Sequence, residues 1–331
     1  MDIINYSSSK QLIKNSKNFL SIKKLSFFSC KKKKDTVFYG WGRKKSGLKA
    51  MALAKKHKTS YRLLEDGFIR SIGLGVNGSP SFSLVEDDRG IYYDATTPSK
   101  LENILNTYDF KSDTALMETT KEAMKLIREY HISKYNHAPD IAADFFKDDT
   151  GEKVLVIAQT EGDASLKYGL GTFFSTQKMI EDAIAENPHA TVYIKIHPDV
   201  LSGKKDSDIK VAEIPNECKL LDEDINPISL LKHFDKVYTK TSGMGMEALI
   251  LGLDVVCYGM PYYAGWRVTA DRQVCSRRTR KLTIEEVFAG AYILYTQYYN
   301  PYRDRSSDIL DTIREIVLQR KKVSISVQIE P

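Results

Sequence analysis

The sequence predicts an α/β protein built from two facing parallel-sheet domains with helices at the C-terminus. Three observations carry this expectation: the length, a strand–helix alternation that begins at Thr36, and a restart of that alternation at Lys153. A chain of 331 residues exceeds what one hydrophobic core usually supports, so two domains of roughly 150 residues are expected. With 42% hydrophobic residues, both cores can be filled. The polar run Lys147-Asp148-Asp149-Thr150-Gly151 marks the division, giving residues 1–148 and 149–331. Successive βα units lay helices on sheet faces and force parallel strands.

The elements follow in order. Thr36-Val37-Phe38-Tyr39-Gly40-Trp41-Gly42 reads as a strand ending in a glycine loop, and Ser46 to Lys56 as the helix after it. Tyr61 to Leu64 is a short strand. Phe82 to Val85 and Gly90 to Tyr93 read as a turn-linked pair, while Ser99 to Leu105 and Ala115 to Tyr130 carry helical spacing. In the second half, Lys153 to Ala158 is an apolar run of the kind buried on both faces. Thr176 to Glu186 is a helix and Ala190 to Ile196 a strand. Ile228 to His233 is helical, Lys236 to Tyr238 a strand, Met244 to Leu251 a helix and Asp254 to Tyr258 a strand.

Several classes are excluded. No apolar run reaches the roughly 20 residues of a membrane span, and the first thirty residues lack a compact apolar segment with a cleavage site, so a cytoplasmic chain is expected. Cys30, Cys218, Cys257 and Cys275 show no C-x-x-C spacing, which argues against a disulfide framework or a zinc site. The net charge of +6 is unevenly spread. Lys23, Lys24 and Lys31 to Lys34 flank Leu25 to Ser29, a basic and apolar arm suited either to an anionic membrane surface or simply to solvent. Arg277-Arg278-Thr279-Arg280-Lys281 forms a second cluster, but neither run belongs to a nucleic-acid-binding module, so no nucleic acid is expected.

Gly73, Gly75 and Gly78 spell the G-x-G-x-x-G dinucleotide fingerprint, yet Ser79-Pro80-Ser81 follows where a helix must open, so this reading fails. What remains there is a strand end presenting Glu65, Asp66 and Arg70. In doubly wound folds ligands bind beyond the carboxyl ends of the strands. Three segments occupy such positions in the second half: Gln159 to Ser165, His197-Pro198-Asp199, and Thr239 to Gly245 leading to Glu247. Small hydroxyl and glycine residues before a helix leave backbone N–H groups for a phosphate, which makes Ser242-Gly243-Met244-Gly245 a candidate cradle. Each has a plainer use: Ser242 as a helix cap, His197 as a hydrogen-bonded loop residue, Asp163 as a cap or turn former. Their common topological position favours one cleft.

In order along the chain stand Gly40-Trp41-Gly42-Arg43-Lys44-x-Ser46, Leu64-Glu65-Asp66-Gly67-Phe68-Ile69-Arg70-Ser71, Gly90-Ile91-Tyr92-Tyr93-Asp94-Ala95 and Ile132-Ser133-Lys134-Tyr135-Asn136. They are followed by Gln159-x-x-x-Asp163-x-Ser165, Lys195-x-His197-Pro198-Asp199-Val200, Thr241-Ser242-x-x-Gly245-x-Glu247-Ala248-Leu249 and Tyr263-Ala264-Gly265-Trp266. This set resembles the capsular polysaccharide β-Kdo transferases, the bacterial KpsC family, most closely their N-terminal module, over roughly Thr36 to Pro301. The resemblance implies a GT-B fold of two Rossmann-like domains, acceptor-side first and CMP-sugar-binding second. It also implies retaining transfer of Kdo from CMP-Kdo to a Kdo-terminated phospholipid or glycolipid linker of capsular polysaccharide, with no metal and no other cofactor.

Residue by residue, the resemblance makes Asp163 the nucleophile and Glu65 the acceptor's general base with Asp66 orienting it, the order of the two acids staying open. Gln159, Lys195, His197, Pro198, Ser242, Gly243, Gly245 and Glu247 become donor-binding residues, Glu247 toward the ribose. Gly42, Arg43, Arg70, Ser71 and Tyr93 become substrate contacts, the two arginines pairing with Kdo carboxylates. Contact with the inner face of the cytoplasmic membrane and with other capsule transferases is implied in the same way. Two departures stand out: Met246 where relatives commonly carry an aromatic residue, and Arg267 where glycine is frequent. The related enzymes usually join two such modules in one polypeptide. Two alternatives stay open at this point: a transferase of another CMP-linked 2-keto sugar, and a transferase-fold accessory of capsule export that binds without reacting.

Overall fold

The computed structural model describes residues 4–20, 25–27, 36–196, 206–207 and 209–329, and it is organised around two sheets. In chain order the first sheet receives β1 (Ile4–Ser7), β2 (Leu25–Ser26), β3 (Thr36–Trp41), β4 (Tyr61–Asp66) and β5 (Ser83–Asp87). The second receives β6 (Lys153–Ile157), β7 (Thr191–Lys195), β8 (Lys219–Leu221), β9 (Lys236–Thr239), β10 (Asp254–Cys257) and β11 (Ala270–Asp271). The chain then returns to the first sheet through β12 (Thr296–Asn300) and β13 (Arg305–Ser307).

The second sheet runs β11-β10-β9-β6-β7-β8, parallel throughout. All five residues of β6 are buried, as expected for a strand covered on both faces. Its strand order reverses at β6, which lies between β7 and β9, so the crevice of this sheet opens over the ends of β6 and β9. The first sheet, β13-β12-β5-β4-β3-β1-β2, is parallel from β4 to β2 and antiparallel across β4-β5-β12-β13. Here the chain departs from expectation. Ser83–Asp87 pairs antiparallel with β4, while Gly90 to Tyr93 forms a turn and not a strand. Asp87, fully buried, explains the turn: its carboxylate accepts the N–H groups of Arg89, Gly90 and Lys100 and the Tyr295 hydroxyl, and so closes the chain back on itself. Part of the N-terminal arm is likewise structural, because Ile4–Ser7 pairs with β3; Lys23, Lys24 and Lys31 to Lys34 lie outside the described residues.

The helix Ile309–Ile329 follows β13 and packs on β12 and on the helix Thr114–Tyr130. One apolar core runs through both halves, from Leu63, Phe82 and Ile127 to Leu155, Val237 and Trp266. The late basic cluster serves this junction. Glu102, buried on the helix Lys100–Thr107, takes Arg277 at 2.7 Å and Arg278 at 3.3 Å, and Arg280 donates to the carbonyls of Leu105 and Tyr108. These arginines bind the two halves together. Among the described residues no helix is long and apolar enough to cross a membrane.

Candidate active site

Glu65 and Asp66 end β4, where the apolar pair Leu63 and Leu64 gives way to charge at the carboxyl edge of the sheet. Beside them Gly42 leaves β3, its N–H bonded to the Leu64 carbonyl at 2.9 Å. Gly42 has φ +36°, and a Cβ there would lie 2.6 Å from Glu65 Oε2 and against the Tyr93 hydroxyl. Glycine is therefore required twice, for its backbone and for its emptiness. The Tyr93 hydroxyl is fixed by the Arg43 N–H at 2.7 Å. Glu65, half-buried, has its carboxyl pushed up to about 7, first by loss of hydration and then by the charge of Asp66; Lys134, Lys44 and the Asp66 N–H pull the other way.

The two arginines face inward to the protein. The Arg43 guanidinium is buried against Asp94, reaches Thr97 at 2.7 Å and lies 5.5 Å from the Tyr168 ring. Arg70, also buried, pairs with Asp66 at 3.1 Å and donates to Ser71 Oγ and the Ser79 carbonyl. Gly75 explains the glycine loop: its face presses on that guanidinium so closely that a Cβ would collide with it. The fork of each arginine is thus engaged within the chain. Ser71 is fully buried; its Oγ donates to the Gly73 carbonyl and its own carbonyl accepts Asn136 Nδ2.

The segment Ser133-Lys134-Tyr135-Asn136 brings in groups that the sequence reading did not select as site residues. The Lys134 carbonyl accepts the N–H groups of Arg70 and Ser71 at 3.0 and 3.3 Å. The Ser133 hydroxyl beside it donates to Glu247 in the other half at 2.5 Å. Glu247 is buried, which raises its pKa; that bond and the Lys134 backbone and charge oppose the rise. Burial also works against the Lys134 ammonium, but Tyr92, Tyr135, Asp66 and Glu65 outweigh it and hold the charge in place. A single lysine carries no spacing signal, and only its place in the matching motif Ile132 to Asn136 pointed toward it. Tyr92 stands at the centre of an aromatic wall with Phe68, Tyr93, Tyr262 and Tyr295, ring centroids 4.9 to 6.4 Å away. Its hydroxyl is raised by burial and then feels Lys134, Glu65, Asp66 and Asp163 together.

On the second half the carboxyl ends of β6 and β9 meet as the topology requires. Gln159 takes the Thr241 N–H at 2.7 Å, and Thr241 Oγ1 lies 2.9 Å from Ser165 Oγ. Asp163 is exposed and caps the helix Ala164–Tyr168 through the Ser165 N–H at 2.9 Å. Ser242 Oγ accepts the Met244 N–H, and the Ser242 carbonyl accepts the Tyr263 hydroxyl, which lies flat against Gly245. No atom would meet a Cβ on Gly243 within 4 Å, so the turn faces open space there. Lys195, at the end of β7, donates to the Glu223 carbonyl at 3.1 Å; burial lowers its pKa against the pull of Asp224, Glu223 and Asp222. His197 and Pro198 lie outside the described residues. Met246 is fully buried in the core, and Arg267 sits at φ +66°, the left-handed region that favours glycine. Among the described residues no group of three His, Cys, Asp or Glu side chains is arranged to hold a metal ion.

The chain is similar to known proteins in sequence and in overall structure. The capsule polysaccharide biosynthesis protein family matches residues 36–300. The chain is 40% identical over 340 residues to the capsule polysaccharide modification protein LipA of Neisseria meningitidis serogroup B, covering 97% of this chain and 48% of that protein. It is 37% identical over 260 residues to the lipopolysaccharide-processing protein LpsZ of Rhizobium meliloti, covering 78% of this chain and 59% of that protein. The chain thus spans about half the length of the curated relatives it matches. Among solved structures, it superposes on the β-Kdo 2,4 transferase of Thermosulfurimonas dismutans KpsC with TM-score 0.87 and 40% identity, covering 96% of this chain and 98% of that one. The β-Kdo 2,7 transferase of the same KpsC gives TM-score 0.75 and 29% identity, covering 97% of this chain and all of that one.

Proposed function

The chain belongs to the capsule polysaccharide biosynthesis family, and on that footing we propose that it is a retaining β-Kdo transferase, moving Kdo from CMP-Kdo to a Kdo-terminated glycolipid linker. The observation that supports this most directly is the joining of the two halves beside Glu65 and Asp66, where Ser133, next to Lys134, donates its hydroxyl to Glu247 of the other half, while Asp163 stands exposed at the carboxyl end of β6. A cleft with a carboxylate on each wall suits two successive displacements. In the first, an Asp163 carboxylate oxygen bonds to the anomeric carbon while the bond to the phosphate breaks, the electron pair leaving with CMP. In the second, Glu65 takes the proton of the acceptor hydroxyl, whose oxygen bonds to the anomeric carbon as the bond to Asp163 breaks. Two inversions restore the starting configuration.

Each role has local support. A carboxyl near 7 is well matched to taking a proton at neutral pH. Asp163 is accessible at a helix start, so its free oxygen can turn toward the sugar while the other keeps the cap. The turn Ser242 to Gly245 opens the donor phosphate's side of the cleft, with Gln159 and Thr241 bracing it. His197, Pro198 and Lys195 complete the donor side in this proposal, which needs no metal. The test is incubation with CMP-Kdo alone, followed by intact-mass measurement. A mass increase of one Kdo on the wild type, absent in Asp163→Ala, supports the mechanism. CMP release and product formation with no dependence on Asp163 would overturn it.

A further inference from the structure

We infer that Lys134 is the receptor for the carboxylate of the donor sugar, and so the residue that selects an acidic 2-keto sugar; this rests on the proposed donor and deepens it. The sequence assigned that task to Arg43 and Arg70, but both guanidinium groups are spent on Asp94 and Asp66. Lys134 differs from them in two ways. Its backbone is held through the carbonyl, which accepts the Arg70 and Ser71 N–H groups, and through the neighbouring Ser133 hydroxyl, which donates to Glu247. Its ammonium, in contrast, makes no hydrogen bond and no ion pair within 4.0 Å among the described residues, and its ring contact is with Tyr135 at 5.8 Å. A held backbone carrying a cation with no partner of its own is what a binding site for an anion requires.

The chemistry specifies which anion. In a 2-keto sugar the carboxylate is attached to the anomeric carbon itself, so wherever nucleophile and base converge, that carboxylate is within a few ångströms. Glu65 and Asp66 already load the end of β4 with negative charge, and Lys134, whose carbonyl accepts the Arg70 and Ser71 N–H groups just beyond that strand, is the cation that opposes it. Without it, an incoming carboxylate meets unbalanced repulsion. Glu247, expected on the ribose, becomes in this arrangement the positioning residue that ties the Lys134 segment to the donor half through the Ser133 hydroxyl.

The experiment compares CMP-Kdo with its C1-amide analogue on wild type, Lys134→Met and Lys134→Arg, reading CMP release, with CMP affinity measured separately by calorimetry. The wild type is expected to favour the acid by about 10- to 100-fold, the worth of one charge-assisted hydrogen bond. Lys134→Met is expected to lose that preference with CMP affinity unchanged, and Lys134→Arg to keep most of it. If Lys134→Met retains the preference, or if both variants lose CMP affinity alike, Lys134 is not the receptor. If the wild type does not turn over CMP-Kdo, it is the underlying reading that fails.

Discussion

Replacing Glu65 with Gln should make the protein more stable at pH 8 while removing its transfer activity. The carboxyl has its proton held to about 7 in the folded chain against an ordinary 4.5. Below pH 4.5 both the folded and unfolded forms are protonated there, and the site costs nothing. Between 4.5 and 7 the folded state binds more protons than the unfolded state, so stability falls as pH rises. Above about 7 the full penalty of an ionised carboxylate is present. Converted, that difference corresponds to about 3 kcal/mol, and partial solvent access reduces it to about 1–3 kcal/mol. Glutamine keeps an oxygen for the Asp66 N–H, which donates to Glu65 at 3.2 Å, so the exchange removes charge with little change of shape. The assay is urea unfolding at pH 4.5 and pH 8, followed by tryptophan fluorescence from Trp41 and Trp266. Glu65→Gln is expected to match the wild type at the lower pH, exceed it at the higher, and lose at least about 100-fold in turnover. An equal stability difference at both pH values would refute the reasoning.

Asp66→Asn removes the neighbouring charge that helps raise Glu65, and it should move the acid limb of the pH–rate profile down by about one pH unit; no movement, or movement upward, contradicts the assignment. Gly42→Ala must push a methyl group against Glu65 and Tyr93 from a left-handed backbone, and we expect a loss of about 1–3 kcal/mol in thermal unfolding with turnover down at least about tenfold. Full activity in that variant would show that the Glu65–Tyr93 approach is looser than described. Glu102→Ala leaves Arg278 buried without its carboxylate and should cost about 3–5 kcal/mol in urea unfolding. A cost below about 1 kcal/mol would mean that the ion pair does not hold the halves together.

The parts of the fold that the sequence made legible are those in which local pattern and tertiary role agree. Val154 to Ile157 is uniformly apolar because both faces of its strand are covered, and Thr114 to Tyr130 repeats its apolar residues at helical spacing because one face packs. The additions to the first sheet were not legible, for a physical reason. Ile4–Ser7 and Thr296–Asn300 are short and mixed in polarity, and their place follows from partners distant in sequence: Thr36 to Tyr39 for one, Ser83 to Val85 for the other. Gly90 to Tyr93 reads as a strand but forms a turn, because its apolar residues face the core from a loop that the Asp87 carboxylate closes. The site was legible at the strand ends, where topology alone gathers Gln159, Thr241 and Ser242. The destinations of the arginines were not, because a guanidinium reads the same in sequence whether it meets a ligand or an internal carboxylate.

That distinction also divides the two adjacent acids, whose order the sequence left open. Asp66 is tied at 3.1 Å to a guanidinium that is itself fixed by Ser71, by the Ser79 carbonyl and by the close face of Gly75. That carboxylate is engaged within the chain and held in place. Glu65 has no such ion pair within 4.0 Å among the described residues; it faces the Tyr93 hydroxyl, the Asp66 charge and the more distant Lys134 and Lys44. Its proton is therefore the one with a midpoint near neutrality, and the fixed Asp66 charge is part of what puts it there. Two neighbouring carboxyls separated in this way can take separate roles, the mobile proton on one and the setting charge on the other. Under the proposed mechanism this makes Glu65 the base and Asp66 the residue that tunes it, with Arg70 and the glycine loop keeping Asp66 from competing for the acceptor's proton.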